Sequence, residues 1–330
     1  MAARMNDAAQ RYDVTALGEI LVDFTPAGVG EQGSPLFQAN PGGAPCNVLA
    51  MLAKLGRRTA FIGKVGDDLF GHMLRARIRS AGIDDAGLVE SGEARTTLAF
   101  VAIDETGDRD FSFYRHPGAD MMLQGNEIPG ELLRRTRVFH FGTISMTHEN
   151  IRRVTRQAVA CAREAGALIS FDPNLRPPLW QSLDTAREQM RYGCSQCDVL
   201  KIEIDELRFL TGKTELDEAV ASLRSEFPNI GLVLVTAGAE GSFAFRGTLR
   251  VWQPTFLRVK TIDTTGAGDS FLGTCLSFLL DHPVASLSEA DLNEMLFTAN
   301  AAASLVTTRK GALASMPTPD EVRALTEGGL

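Results

Sequence analysis

The sequence lacks the features of membrane-spanning and nucleic-acid-binding proteins. No apolar run reaches the roughly 20 residues that a bilayer-spanning helix needs. Acidic residues outnumber basic ones, 41 to 33, and the net charge is −8, whereas proteins that bind nucleic acids or anionic membranes usually present a basic patch. These absences argue against both classes. They leave small anionic ligands, which backbone amides and one or two local cations can hold.

Cysteine is also scarce and odd in number. The five cysteines are Cys46, Cys161, Cys194, Cys197 and Cys275. An odd number in a long chain favours free thiols in a reducing compartment. The Cys-x-x-Cys pair at 194 and 197 has no second pair or histidines at ligand spacing, so we interpret both as ordinary thiols. The leader 1–13 lacks the apolar centre of a signal peptide, and we expect a cytoplasmic protein.

Strand-like and helix-like segments alternate along most of the chain. Strands are predicted over 14–22, 59–65, 138–141, 167–171, 199–202 and 232–236, and helices over 46–55, 69–81 and 271–280. This alternation, with an apolar content of 44%, predicts a soluble α/β protein. Its mostly parallel sheet would be covered by helices on both faces.

Two stretches break the alternation. Residues 24–41 are polar and rich in glycine and proline, and residues 96–115 alternate like antiparallel strands with a turn signal at 105–108. In the second stretch, Phe111, Phe113 and Arg115 share one face by the period of two. These inserts predict a small β-sheet lid over the sheet edge. With no internal repeat or linker, we predict one domain over residues 1–330.

The octapeptide Asp263–Ser270 carries the strongest chemical signal. It joins a β-prone segment, 256–262, to the apolar run 271–280 and contains two glycines. At such a junction several backbone N–H groups converge with the positive end of the helix dipole, which favours a phosphoryl oxygen. A carboxylate inside that anion site, Asp269, suits removal of a proton from an attacking hydroxyl. A plain turn with a helix cap is the alternative; we interpret the pattern as phosphoryl transfer.

Polar groups also follow other predicted strands. Asp23 ends the first of them, and Gly42-Gly43 with Asn47 precede the first helix, where backbone can approach a ligand and side chains can bind vicinal hydroxyls. Arg176 could neutralise a transferred phosphoryl group. Each of these positions also has a plain structural explanation as a turn, a helix start or a surface arginine.

Two further turns lie at the same expected edge. Glu206 could hold Mg²⁺ through water, although an acidic helix start is more common, and the small-residue turn 236–241 supplies flexible backbone. The tripeptide 212–214 resembles the end of a P-loop, but Leu207 stands where that motif requires glycine. We therefore predict a helix end there.

These residues together resemble the pfkB (ribokinase-like) carbohydrate kinases, and within them the fructokinases. Residues 263–269 resemble the C-terminal signature of the family, and Gly42-Gly43 with Asn47 and Leu55-Gly56 resemble the N-terminal one. The fructokinase-like stretches are 18–24, 41–45, 61–66, 113–117 and 171–176. The resemblance covers nearly the whole chain. It implies a ribokinase-like three-layer α/β/α sandwich that phosphorylates D-fructose to fructose 6-phosphate with ATP.

The resemblance also implies a role for each candidate residue. Asp269 would be the catalytic base, Gly266, Ala267 and Gly268 the anion hole, and Arg176 a neighbour of the transferred phosphate. Sugar would be bound by Asp23, Gly42, Gly43 and Asn47, with Phe113 and Arg115 reaching in from the lid. ATP and Mg²⁺ would be bound by Asn174, Lys201, Glu206, Thr236, Gly238, Gly241 and Asn300. A potassium ion would be held by Asp263, Thr265, Val306, Arg309, Gly311 and Ser315, largely through backbone carbonyls.

One departure and two alternatives accompany this interpretation. The Asn-x-x-Glu element of the family reads Glu203-x-x-Glu206 here. The chain could act on another furanose-like or keto sugar, such as aminoimidazole riboside or 2-keto-3-deoxygluconate, or serve as a non-catalytic sugar sensor. An intact Asp269 disfavours the sensor. The expected partners are a small sugar and ATP, without nucleic acid or membrane, and a second copy packed lid to lid is left open.

Overall fold

The computed structural model describes residues 11–103 and 109–328. Its strands are β1 (Tyr12–Leu17), β2 (Leu21–Val29), β3 (Pro35–Gly42), β4 (Thr59–Gly66), β5 (Ile83–Ser91), β6 (Leu98–Ile103), β7 (Arg109–Tyr114), β8 (Thr136–Gly142), β9 (Leu168–Asp172), β10 (Val199–Glu203), β11 (Leu232–Thr236), β12 (Ser242–Arg246) and β13 (Leu249–Gln253). Its helices are α1 (Ala44–Lys54), α2 (Leu69–Ser80), α3 (Gly130–Arg134), α4 (Glu149–Glu164), α5 (Leu183–Gln196), α6 (Ile204–Thr211), α7 (Leu216–Glu226), α8 (Ala267–Asp281), α9 (Glu289–Val306) and α10 (Pro319–Glu327).

Nine strands form the main sheet, in the order β13-β12-β11-β10-β9-β8-β1-β4-β5. The strands from β11 to β5 pair in parallel, and β12 and β13 add an antiparallel edge. Every residue of β4 is buried, as expected for a parallel strand covered on both faces. The carboxyl ends of the parallel strands therefore open onto one edge, where ligands bind in such sheets.

Helices cover both faces of this sheet, and each face has its own apolar core. One core gathers buried residues of α1, α8 and α9, such as Leu49, Phe271 and Leu296. The other gathers residues of α4, α5 and α7, such as Val154, Met190 and Leu223. This arrangement confirms the predicted α/β/α sandwich.

The second sheet is the lid, with strand order β3-β2-β6-β7. It is antiparallel except for the β2–β6 pair. The rings of Phe24 and Phe100 stack within it at 4.8 Å, and Phe24 meets Phe70 of α2 edge to face at 5.6 Å. The turn signal at 105–108 lies outside the described residues, and the side chain of Phe111 is likewise not described.

Two expectations about strands were wrong, and one hairpin was missed. The strand predicted over 14–22 is two strands in different sheets, separated by Gly18–Ile20, so Asp23 lies inside β2. Residues 256–262 form no strand, because the amides of Phe256 and Ile262 bond instead to the Ser304 hydroxyl and the Thr307 carbonyl at the end of α9. The hairpin β12–β13 was not predicted.

The helix end expected at 212–214 is present. Gly212 ends α6 in the left-handed conformation, which confirms the helix end inferred there. Cys194 and Cys197 are free and buried, and burial raises the pKa of both thiols. Across the parts of the chain that the structure describes, no helix combines the length and apolar character needed to cross a bilayer.

Candidate active site

Two adjoining cavities open at the carboxyl edge of the main sheet. The first, about 520 Å³, lies between the lid and the start of α8. The second, about 500 Å³, lies between the turn after β11 and α9. Their linings share Lys201, Thr264 and Gly268. Both volumes fall in the range of small-molecule sites, so the edge can hold two ligands that touch at this junction.

The first cavity gathers most of the residues expected to bind sugar. Its lining includes Asp23, Gly42, Gly43, Asn47 and Phe113. Arg176 and Asn174, from the turn after β9, line the same cavity. Burial raises the pKa of Asp23 to about 6, while the nearby Arg176 lowers it.

Asp269 lies in the first turn of α8 and faces the first cavity. Its carboxylate is buried and accepts a hydrogen bond of 2.8 Å from Nδ2 of Asn47 on α1. Burial raises the pKa of Asp269 to about 6, and the bond from Asn47 opposes that rise. At neutral pH the carboxylate is therefore mostly ionised, yet more basic than an exposed aspartate. This is the condition for a general base.

Glycine at 266 sets the entry into α8. Gly266 has φ of 84°, and a Cβ added there would lie 2.8 Å from Cβ of Ala312. The backbone N–H of Ala267, expected to bind phosphate, instead donates to the Thr264 carbonyl at 3.2 Å. Within residues 11–103 and 109–328, no protein acceptor takes a hydrogen bond from the N–H of Gly268 or Asp269. These two amides are the ones available to an anion at the helix start.

The second cavity gathers the turn after β11 and the middle of α9. Thr236, Gly238, Gly241 and Asn300 line it, together with apolar side chains such as Leu257 and Phe271. The amide of Asn300 accepts from the Ser242 hydroxyl at 2.9 Å and donates to the carbonyls of Gln253 and Pro254, both at 3.0 Å. Asn300 therefore shapes the wall by fixing its neighbours. An apolar cleft with flexible backbone suits the flat base of a nucleotide.

The residues expected to hold potassium lie in two segments that meet beside α8. Asp263 accepts from the hydroxyl of Thr265 at 2.7 Å and from the amide of Gly311 at 3.4 Å. The Val306 carbonyl accepts from the Arg309 amide at 3.2 Å. Ser315 is buried and donates to the Ala312 carbonyl at 2.9 Å. The structure thus brings residues 263–265 and 306–315 into contact through Asp263 and Gly311.

Comparison with known proteins identifies the family of this chain. Residues 12–319 match the sequence model of the pfkB family carbohydrate kinases. The chain belongs to that family. This pfkB kinase is 44% identical over 322 residues to Fructokinase-1 of Zea mays, covering 97% of the chain and 99% of the relative.

Two solved structures extend the likeness. Fructokinase with bound ATP from Xylella fastidiosa has a TM-score of 0.88 and 32% identity, covering 96% of the pfkB kinase and 98% of that chain. A fructokinase double mutant from Vibrio cholerae O395, with fructose, ADP and potassium ion bound, has a TM-score of 0.84 and 32% identity, covering 96% and 98%. The relatives therefore include kinases that hold sugar and nucleotide together.

Arg115 is not where the pattern placed it. Its side chain is 3% exposed and does not line either cavity. The guanidinium donates to Asp120 at 2.8 Å, to the Thr147 hydroxyl at 2.7 Å and to the Ile144 carbonyl at 3.1 Å. In the pfkB kinase, Arg115 therefore anchors the base of the lid. Among the described residues of the lid, Phe113 is the aromatic side chain that lines the first cavity.

Glu206 and Asn174 do not line the second cavity. Glu206 lines neither cavity, and its two carboxylate oxygens accept from the amides of Leu175, at 2.6 Å, and Glu203, at 3.0 Å. It therefore ties the turn after β9 to the start of α6. Asn174, expected beside ATP, lines the first cavity instead. At Glu203 the carboxylate caps α6 by accepting from the Asp205 amide at 2.8 Å.

Glu19 is a cavity residue that sequence reasoning missed. It lies between β1 and β2, lines the first cavity and accepts from the Ala44 amide at 2.9 Å. Burial raises its pKa to about 7. The sequence did contain an indication of this residue, since Glu19 belongs to the fructokinase-like stretch 18–24. A carboxylate after an apolar strand does not show, however, that the chain passes from the main sheet to the lid at that point.

Proposed function

We propose that this pfkB kinase transfers the γ-phosphoryl group of ATP to the primary C6 hydroxyl of D-fructose, giving fructose 6-phosphate and ADP. The observation that carries the proposal is the buried Asp269 carboxylate, which faces the first cavity. Asp269 directly follows Gly268, a residue that lines both cavities. The likeness to fructokinases supports D-fructose as the acceptor.

The reaction follows from the placement of these groups. Fructose occupies the first cavity, with its hydroxyls on Asp23, Asn47 and the Gly42-Gly43 backbone, and the C6 hydroxyl beside Asp269. Asp269 takes the hydroxyl proton as the oxygen attacks the γ-phosphorus. The amides of Gly268 and Asp269 stabilise the negative charge that builds on the phosphoryl oxygens, usually the largest catalytic contribution.

ATP occupies the second cavity, with its base against the apolar side chains near Leu257 and its phosphates directed to the junction. Three carboxylates surround Lys201 there, namely Asp172, Glu206 and Asp269. Their negative charge, added to that of the phosphates, fits a requirement for a divalent cation. Mg²⁺ would supply charge neutralisation on the phosphates when bound.

Potassium fits the two segments beside α8. Backbone carbonyls and the carboxylate of Asp263 are hard oxygen donors, which suit a hard cation. Gly266 packs against Ala312, so a cation held by the carbonyls of residues 306–311 would stiffen the anion loop from behind. We expect potassium to act on the loop rather than on the sugar.

The exposed apolar side chains of the lid favour a second copy of the chain as a partner. Val29, Leu36, Phe37 and Tyr114 are exposed by 70%, 48%, 44% and 65%, an apolar surface that suits burial against another lid. Sedimentation of the purified protein at micromolar concentration measures its mass directly. The mass of two chains supports the dimer, and the mass of one chain contradicts it.

The cytoplasmic location expected from the sequence stays a prediction.

The experiment that tests the function measures ADP release against a panel of sugars. D-fructose should give the highest kcat/KM. Preference for aminoimidazole riboside or 2-keto-3-deoxygluconate would contradict the substrate while keeping the kinase. Binding of fructose without ADP release from any sugar would instead favour a sugar sensor.

A further inference from the structure

Asp172 and Lys201 form a buried ion pair beneath the junction of the two cavities. Nζ of Lys201 lies 2.9 Å from Oδ2 of Asp172, and the two side chains are 8% and 3% exposed. Asp172 lines neither cavity, so it does not contact either ligand directly. A buried ion pair is weak grounds for stability, because desolvation offsets the attraction. The placement of this pair at the site therefore suggests a chemical use.

The ammonium of Lys201 lies where the two ligands meet. Lys201 lines both cavities, and a Cβ added at Gly268 would lie 3.0 Å from its Nζ. The ammonium thus packs against the first turn of α8, beside the amides of Gly268 and Asp269. A phosphoryl group that moves from the second cavity to the first passes this point.

The charge on Lys201 is maintained by its surroundings. Burial disfavours the ammonium, but the carboxylates of Asp172 and Glu206 outweigh it, and the pKa of Lys201 is raised. Burial lowers the pKa of His140, on strand β8, to about 4, so this side chain is neutral. Lys201 is therefore a permanent cation at the junction, and Arg176 supplies a second one from the side of the first cavity.

Asp172 is itself held in place. Its Oδ1 accepts from the backbone amide of Asn174 at 3.2 Å, while Oδ2 accepts from Lys201. The strand end of β9 and the turn that follows it therefore fix the carboxylate, and the carboxylate fixes the ammonium. Without this anchor, the four-carbon stem of Lys201 could adopt other rotamers.

We propose that Asp172 is a positioning residue that holds Lys201 against the phosphoryl group during transfer. Lys201 then stabilises the transition state more strongly than it stabilises bound ATP. The proposal rests on the phosphoryl transfer proposed above. In that step the bond from the γ-phosphorus to the β,γ-bridging oxygen breaks and a bond to the sugar oxygen forms. The hydroxyl proton goes to Asp269 and ADP leaves with the bridging oxygen. Lys201 donates hydrogen bonds to the oxygens that gain charge.

Three variants separate this role from a structural one: Lys201→Met, Asp172→Asn and the double variant. Removing Lys201 alone leaves a buried unpaired carboxylate, which destabilises the fold. The double variant removes both charges, so we expect its Tm to return towards that of the parent protein. Its turnover should nevertheless stay about 10²–10³-fold low, as when one transition-state donor is removed. Asp172→Asn should lower kcat by about tenfold, with a smaller change in KM for ATP.

The second measurement is binding of a transition-state mimic. Affinity for ADP with aluminium fluoride and sugar should fall about 100-fold in the double variant, in step with turnover, while affinity for ADP alone changes less than about threefold. A double variant that regains both stability and turnover would show that the pair is only structural. Equal losses for ADP and for the mimic would show that Lys201 merely binds nucleotide.

The parent protein supplies the reference for both proposals. If it releases ADP with another sugar but not with fructose, the substrate proposal fails, and the variants are compared with that other sugar. If none of the sugars in the panel leads to ADP release and the protein does not bind the mimic, phosphoryl transfer and the role of Lys201 are both overturned.

Discussion

At the residue scale, the proposed chemistry depends on how Asp269 is held. Burial makes its carboxylate more basic than that of a surface aspartate, and the hydrogen bond from Asn47 limits this effect. A base with a pKa somewhat below the working pH is both ionised and strong enough to accept a proton as the hydroxyl attacks. The same side chain on an exposed helix start would be a weaker base.

Replacing Asp269 by asparagine should lower kcat by about 10²–10⁴-fold, because the general base is lost. Fructose affinity, measured by calorimetry, should change little. Asp184→Asn on α5, whose parent side chain is 92% exposed, is the matched control and should keep full turnover. An Asp269→Asn variant with turnover within tenfold of the parent would remove this residue from the reaction.

The pH dependence gives a second check on the same carboxylate. With the pKa of Asp269 near 6, kcat/KM should fall as the pH drops through about 6, since protonation removes the base. In Asn47→Ala the hydrogen bond that lowers this pKa is absent, so the fall should begin at a higher pH. The measurement is a pH–rate profile of both proteins. An acid limb that stays at the same pH would contradict the pairing.

The pairing of Asn47 with Asp269 shows what the sequence could not provide. Both residues could be recognised from their motifs, since each lies in the first turns of a helix that follows a glycine turn. They are 222 positions apart in the chain, and nothing local indicates that α1 and α8 place them in contact. Arg115 was misplaced for a related reason: the period of two gives its face of the strand, but not the capture of its guanidinium by Asp120.

At the element scale, the segment Gly18–Ile20 connects the main sheet to the lid. Gly43, at the start of α1, has φ of 141°, and a Cβ added there would lie 2.4 Å from the Glu19 carbonyl. The Glu19 carboxylate accepts from the Ala44 amide at 2.9 Å. The joint between the sheets and the start of α1 are thus packed backbone to backbone, directly beside the cavity assigned to sugar.

Gly43→Ala should therefore damage sugar binding before nucleotide binding. The added Cβ forces the backbone apart, at a cost of about 1–3 kcal/mol for a strained residue. We expect a lower Tm and a KM for fructose raised about tenfold or more, with KM for ATP nearly unchanged. Gly92→Ala, where an added Cβ meets nothing within 4 Å, is the control. Equal effects of both substitutions would contradict this packing.

Some strands of the main sheet could be predicted from the sequence more accurately than others. The buried parallel strands β4, β8, β10 and β11 lie within two residues of their predicted bounds, because short, mostly apolar runs mark them. The run 14–22 is interrupted by Gly18 and Glu19, but the change of sheet at that point becomes visible only in the structure, where a Cβ on residue 18 would meet Pro45 Cγ at 2.5 Å. Such a contact depends on tertiary packing, which no window of sequence contains.

At the scale of the whole molecule, two segments far apart in sequence close around the helix that carries Asp269. Residues 306–315 pack behind the anion loop, and Gly266 rests on Ala312. The sequence suggested both segments through family resemblance. Their contact, through Asp263 and Gly311, is a product of the fold.

Exchange of potassium for tetramethylammonium at constant ionic strength should lower kcat, because a bulky organic cation cannot replace a small one at the proposed carbonyl site. The loop would lose its support, while nucleotide affinity should change less than turnover. ADP release in the two salts is the measurement, with sodium as an intermediate case. Equal rates in all three salts would remove a monovalent cation from the mechanism.

The shared wall of Lys201, Thr264 and Gly268 gives each reactant its own compartment. Because the two cavities adjoin, both reactants can be bound at once. The kinetics should therefore be sequential, and double-reciprocal plots should intersect rather than run parallel.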